Sequence, residues 1–285
     1  RKDKLANIIN KNNEKFTIKS EFNSEEIIYN LTAETEHINN RYKKILTVNN
    51  DKSTESLKLI YEKTSFLNFL PETERLFLSS PSVRRSLVDQ FIYSGQNTYN
   101  KLVNRYNKLI QERSKILMSN NYDESWLNQL EKSISIDALQ IYSLRENQIK
   151  VLLNNLNIYL KDFKLPFIIN TKLIDKFYTD NISFKDYKCK LEEIRKVDTL
   201  IGGCGIGPHK SDYMFYVNGN SYVSQLSTGQ QKTIILLIYL SQCKYLFEVK
   251  SKKPILLLDE VCSHLDEINR KVLLTLVDTF KLQTF

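Results

Sequence analysis

Leu226-Ser227-Thr228-Gly229-Gln230-Gln231 and, closer to the C-terminus, Ile255-Leu256-Leu257-Leu258-Asp259-Glu260 are the two stretches on which the fold turns. The first reads as a serine cap and a glycine turn opening a long apolar helix that runs to about Phe247. The second is an apolar run without alternation that ends abruptly in two carboxylates. Such a run suits a central parallel strand covered on both faces. Ligands of such sheets sit beyond the carboxyl ends of the strands. There, one of Asp259 and Glu260 can hold Mg²⁺ through water while its neighbour acts as general base on an attacking water. Gly229 lets backbone N–H groups approach an anion at the helix N-terminus. Taken singly, each stretch has a plainer explanation, a capped helix and a strand that ends in a solvated acidic turn. Their order and spacing, with Ser263-His264-Leu265-Asp266 just after, make a nucleotide-hydrolysis constellation.

Composition sets the bounds around this pair. The 285 residues suffice for one large domain or two modest ones. With 41% hydrophobic and 26% charged residues, and only 7 Gly and 5 Pro, the chain is neither disordered nor loop-rich. The net charge of +8 permits an acidic partner such as nucleic acid without demanding one. The excess leans toward residues 76–195, net +5, but forms no block of like charge. Cys189, Cys204, Cys243 and Cys262 are scattered, without a CxxC or a histidine at ligand spacing, so reduced thiols in a cytoplasmic protein are expected and a zinc site is not. No apolar run approaches the ~20 residues of a membrane span, and no signal peptide is visible. The chain begins at Arg1 without a methionine and stops at Phe285 in what reads as a new strand, as though both ends were cut.

Along the chain, residues 16–70 alternate as strands do. Phe16–Phe22, Ile27–Thr32, Tyr42–Val48 and Ser65–Leu70 are expected as short antiparallel strands. Pro81 after Ser79-Ser80 marks a helix start. Tyr99, Leu102, Val103, Tyr106, Leu109, Ile110 and Leu117 then recur at helical spacing, opposite Lys101, Arg105, Lys108, Glu112 and Lys115. After a break at Ser119-Asn120-Asn121, Trp126, Leu130, Ile134, Ala138, Ile141 and Leu144 trace a second helix that Val151–Leu160 extends. Together they predict an antiparallel helical hairpin with the aromatic stripe as its core. A hairpin turning at Asn218-Gly219 is expected from the flanking apolar runs. An α/β layer with a helical insertion results.

With these elements in place, the pair of motifs resembles the signature motif and Walker B of ABC-type ATPases, with Ser263-His264-Leu265-Asp266 as the D-loop. Three more stretches resemble the RecF family: Phe69-Leu70-Pro71-Glu72 followed by Ser80-Pro81-Ser82-Val83-Arg84-Arg85 and Asp89; Gly207-Pro208-His209-Lys210-Ser211-Asp212; and Tyr99 through Tyr106 to Glu112-Arg113. The resemblance covers about residues 16–285. It implies an SMC-like ATPase head, a mixed sheet with an antiparallel β subdomain, in two parts (1–75 and 196–285) around a helical lid (76–195). It also implies DNA replication and repair: ATP and Mg²⁺ as cofactors, an ATP-dependent homodimer on double- and single-stranded DNA at gapped junctions, and cooperation with RecR and RecO in loading RecA. By position, Asp259 would be the Mg²⁺-associated carboxylate and Glu260 the catalytic base. Ser227, Gly229 and Gln230 would touch ATP held by the other subunit, and Ser263 and Asp266 would line the same interface.

The departures from that pattern are specific. No G-x-x-x-x-G-K-S/T occurs, and Gly202–Gly207 cannot substitute because Pro208-His209-Lys210-Ser211 is no phosphate-loop helix start. In the family, the phosphate loop lies upstream of residue 1 and the switch histidine downstream of Phe285. Thr228 stands where many ABC proteins have Gly, Lys232 where this family usually has Arg, and only Pro71-Glu72 occupies the Q-loop position. Arg84 and Arg85 suit phosphate of DNA or nucleotide, or else a helix-surface pair bridged to Glu72 or Asp89. Lys101, Arg105 and Lys108 suit sequence-independent phosphate contact, or simply a solvated face. A protein that binds DNA or a partner without hydrolysing anything is the competing class.

Overall fold

The structure is a computed structural model and describes all residues except 1–7, 11, 12, 14, 25, 26, 39, 40, 120, 121, 180 and 259–266. The chain divides into two compact units, residues 1–65 and 66–285. In the first, strands β1 (Thr17–Ser24), β2 (Ile27–Ile38) and β3 (Arg41–Val48) form an antiparallel meander, with pairs such as Ser20↔Leu31 and Ala33↔Leu46 fixing the register. Helix α1 (Thr54–Lys63) follows, capped by the Ser53 side chain, which accepts from the Ser56 amide. The strand-like alternation across residues 16–70 does not predict this helix. Ser53 with Glu55 in the first turn is the cap signal that locates it. Tyr29, Val48 and Ile60 make the small core of this unit.

The expected fourth antiparallel strand is a strand but belongs elsewhere. It is β4 (Thr64–Phe69), and it opens the second unit by pairing in a sheet of order β4-β8-β9, with β8 (Lys253–Leu258) in the centre. The edge strand β9 (Gln283–Thr284) runs parallel to β8. This is the buried parallel strand that the apolar run predicted. A second sheet holds β5 (Ile169–Ile174), β6 (Asp212–Val217) and β7 (Ser221–Tyr222), all antiparallel. Its tight turn, Asn218-Gly219, has φ of 51° and 82°, the two positive values a type I′ hairpin requires.

Eight-residue 3₁₀ segment Pro71–Leu78 leads to helices α2 (Pro81–Gly95), α3 (Tyr99–Met118) and α4 (Glu124–Asp162), the last two forming the predicted hairpin. Short helices α5 (Phe184–Glu193) and α6 (Arg195–Ile201) follow β5. Helix α7 (Thr228–Glu248) is apolar on every side and buried from Gln231 to Cys243 apart from Lys232, as a helix at the centre of a core must be. Helix α8 (Glu267–Thr279) precedes β9. One apolar cluster joins α7 to Leu67 and Phe69 of β4, Leu256 of β8 and Leu152–Leu160 of α4. A second joins Tyr99, Tyr106, Ile134 and Tyr142 of the hairpin to Tyr187 and Leu191 of α5 and to Cys204 and Ile206. Because α4 runs through both clusters, it ties the hairpin to the layer around α7. Trp126, expected on the buried stripe, is 55% exposed in the first turn of α4.

At the far end of the hairpin, a fully buried cation replaces apolar packing. Arg113 donates from Nε to Glu131 (2.9 Å), from Nη1 to Asp198 (2.5 Å) and from Nη2 to the Leu191 carbonyl (2.7 Å). Glu131 also accepts from Arg195. Removing one member of a buried ion pair leaves its partner uncompensated, at a cost of about 3–5 kcal/mol. Arg113→Leu therefore destabilises the protein by about that amount in denaturant unfolding. Arg195→Ala costs less, because Arg113 still holds Glu131.

Candidate functional site

At the N-terminus of α7, Ser227 is extended and its Oγ accepts from the Gln230 amide (3.3 Å), while Gln230 Oε1 accepts from the Ser227 amide (3.1 Å). This reciprocal cap satisfies two donors and holds the first turn rigid. Gln231, the last residue of the motif, locks the entering chain, since its buried Nε2 donates to the carbonyls of Leu226 (2.8 Å) and Ser224 (3.2 Å). Ser227, Thr228, Gly229 and Gln230 are all exposed, and a Cβ placed on Gly229 would meet nothing within 4 Å. A first helical turn leaves its leading N–H groups without helical partners and carries a partial positive charge. An anion can therefore reach this end of α7 over Gly229 without displacing a side chain. Lys232, one turn in, is committed to Glu74 at 2.7 Å and does not point a loose cation at the site.

Strand β8 ends at Leu258, so Asp259 and Glu260 follow it directly. Asp259, Glu260, Cys262, Ser263, His264 and Asp266 lie outside the described residues.

Two other sequence stretches meet. Arg84, 7% exposed, grips Asp212 with Nε and Nη2, both at 2.8 Å, and donates from Nη1 to the Ser79 carbonyl. Arg85 donates to the Ser211 carbonyl at 2.6 Å. Neither forms a hydrogen bond with Asp89. Asp89 instead accepts both forks of Arg145 (2.7 and 2.8 Å) and the Tyr99 hydroxyl, and Arg145 adds a bond to the Pro208 carbonyl (2.6 Å). The Pro81–Asp89 segment and the Gly207–Asp212 segment thus form one junction, with α4 supplying the buried clamp. Arg145 carried no local signal, because its partners lie 56 and 63 residues away. On the hairpin, Lys101 and Lys108 are exposed, whereas Arg105 is bound bidentately to the buried Asp137 of α4.

The glycine-dense stretch has a backbone role here. Gly202 ends α6 in the left-handed region (φ 67°), and Gly207 has φ 128° with its missing Cβ only 2.2 Å from the Tyr106 hydroxyl. His209 packs beside it. The Cys204 carbonyl can only accept, so Nε2 (3.1 Å) carries the proton and Nδ1 accepts from the Tyr106 hydroxyl (2.9 Å). Burial, chiefly, holds the imidazole pKa down to about 4 from its ordinary 6.5, and His209 is neutral at pH 7. Unfolding raises its affinity for a proton, so stability falls as pH drops from 6.5 toward 4. His209→Gln flattens that part of the stability–pH profile, as read by urea unfolding at pH 7 and pH 4.5.

No family model matches the chain. Curated relatives do: "DNA replication and repair protein RecF" of Rickettsia bellii (strain OSU 85-389) is 27% identical over 288 residues, covering 99% of this chain and 78% of the relative. The protein of the same name from Rickettsia felis (strain ATCC VR-1525 / URRWXCal2) is 28% identical over 293 residues, with the same coverage. Among solved structures, that of the recombination mediator protein RecF-ATPrS in the RecFOR pathway superposes with a TM-score of 0.82 at 23% identity, over 99% of this chain and 77% of that one. The RecF-ATP structure of the same pathway gives 0.81. The chain is thus similar to RecF proteins along 99% of its length and shares the fold of the solved RecF structures.

Proposed function

We propose that this chain is the greater part of a RecF-type DNA replication and repair ATPase, which binds ATP between two copies and holds DNA at gapped junctions. The observation that carries the reading is the open, rigidly capped end of α7, where exposed Ser227, Gly229 and Gln230 offer an anion site that nothing else in the described chain fills. Relatives named for DNA replication and repair and solved RecF structures with ATP and ATPrS support it. In this reading Ser227, Gly229 and Gln230 receive the terminal phosphate of ATP carried by the opposite subunit, which is why a single copy cannot complete a site. Asp259 would hold Mg²⁺ through water, which neutralises phosphate charge when bound. Glu260 would take the proton of the attacking water, and Ser263 and Asp266 would line the shared interface. The head would comprise residues 1–75 and 196–285, with 76–195 as the lid, and RecR and RecO would be partners in loading RecA. No described helix is long and apolar enough to cross a membrane, and a cytoplasmic location fits a DNA-bound role.

A second reading, binding of DNA or a partner without hydrolysis, is favoured by one observation, the lack of a G-x-x-x-x-G-K-S/T motif in these 285 residues. An in-frame motif of that form upstream of Arg1 would decide for the ATPase. In a version that includes it, Ser227→Arg places a bulky cation over Gly229 and should abolish ATP-dependent dimerisation. An unaltered sedimentation profile with ATP would refute the contact in trans. Glu260→Gln should lower turnover by on the order of 10²-fold or more and accumulate ATP-bound dimers; unchanged turnover would remove Glu260 from the role of base.

A further inference from the structure

The junction beneath the α3–α4 hairpin opens on a cleft of about 200 Å³, lined among others by Ser82, Arg85, Ser86, Asp89, Asn107 and Arg145. Its charges do not cancel. The carboxylate of Asp89 is consumed by the bidentate Arg145 and by the Tyr99 hydroxyl. Asp212, the nearest other acid, is held bidentately by Arg84, whose third bond goes to a backbone carbonyl. Arg85 is left with one hydrogen bond, to the neutral Ser211 carbonyl, and with no carboxylate in ion-pair contact among the described residues. A guanidinium presents five donors in a planar fork, so most of Arg85's donating capacity is unspent. The hydroxyls of Ser82 and Ser86, on the exposed side of α2, and the exposed amide of Asn107 supply further polar contacts around the cleft. His209, which also lines it, is committed through both ring nitrogens and remains neutral.

We propose that this cleft is a binding site for a single phosphate group, with Arg85 as its charged ligand and Ser82, Ser86 and Asn107 as its polar contacts, while Arg84 and Arg145 are structural. The division between two adjacent arginines follows from their partners, since Arg84 has its own carboxylate and Arg85 has none. Burial, chiefly, and the neighbouring Arg145 disfavour the Arg85 cation more than the carboxylates of Asp212 and Asp89 favour it, and an incoming oxyanion would relieve that balance. The site uses none of the residues at the N-terminus of α7 and stands or falls apart from the ATPase reading. The phosphate belongs either to a nucleic-acid backbone or to a small phosphorylated molecule, and the chemistry of recognition is the same for both.

Calorimetric titration of the full chain with inorganic pyrophosphate, and separately with a short DNA duplex at low salt, tests the proposal. Pyrophosphate should bind the wild type, and Arg85→Ala should weaken it on the order of tenfold. Lys150→Ala, on an exposed residue outside the cleft, should bind as the wild type does. Parallel weakening on the duplex assigns the phosphate to DNA; weakening on pyrophosphate alone assigns it to a small anion. Should Arg85→Ala fail to fold, Ser82→Asp sets a negative charge in the cleft without touching the Arg85–Ser211 bond and should weaken binding similarly. Absence of pyrophosphate binding by the wild type, or undiminished binding by a folded Arg85→Ala or Ser82→Asp variant, overturns the site. Ser227→Arg chains that lose ATP-dependent dimerisation but keep pyrophosphate binding would separate the two sites.

Discussion

The buried Arg145–Asp89 pair is the constraint on which the second unit depends. Arg145 sits midway along the 39-residue α4, and its three donor contacts reach α2 and the turn before β6. Tyr99 at the start of α3 closes on the same carboxylate. A guanidinium taken out of water is tolerable only when its donors are satisfied. The pair therefore prescribes where four elements meet, and apolar contacts alone would let them slide. Arg84–Asp212 repeats the device one turn earlier on α2.

From that junction the geometry passes to the α7 layer by a different chemistry. Gln148 of α4 donates to Gln242 of α7 (2.8 Å), and Gln242 in turn donates to the Phe91 carbonyl and the Ser94 hydroxyl of α2, both at 2.9 Å. All three amide and hydroxyl groups are buried, so each bond exacts the others. The hairpin, α2 and α7 are thus held in one register, and the exposed cap at Ser227 is presented by a helix whose body is clamped on several sides. A rigid helix end with its amides already oriented needs no reordering to meet an anion.

Much of this was legible in the sequence because the signals were local. The Asn218-Gly219 turn, the cap at Ser227, the unbroken apolar run of β8 and the stripe from Tyr99 to Leu117 each express a backbone preference or a periodicity within a few residues. Other features were not legible. Helix α1 sits between segments that alternate, and β4 alternates as the meander does while pairing with β8, nearly two hundred residues later in the chain. Nothing in either segment's own pattern names its partner.

By itself, the sequence determined the α/β class, the helical insertion, the resemblance to RecF and the chemical types at the candidate sites. These depend on propensity, patterning and motif spacing, which are properties of short stretches. Only the tertiary structure decided what Arg84 and Arg85 are each for, that Arg105 is held by Asp137, and that the glycine-dense stretch serves close packing against Tyr106. Those assignments rest on which carboxylate, carbonyl or hydroxyl stands within 3 Å, and groups far apart in the chain meet there only because the whole unit folds.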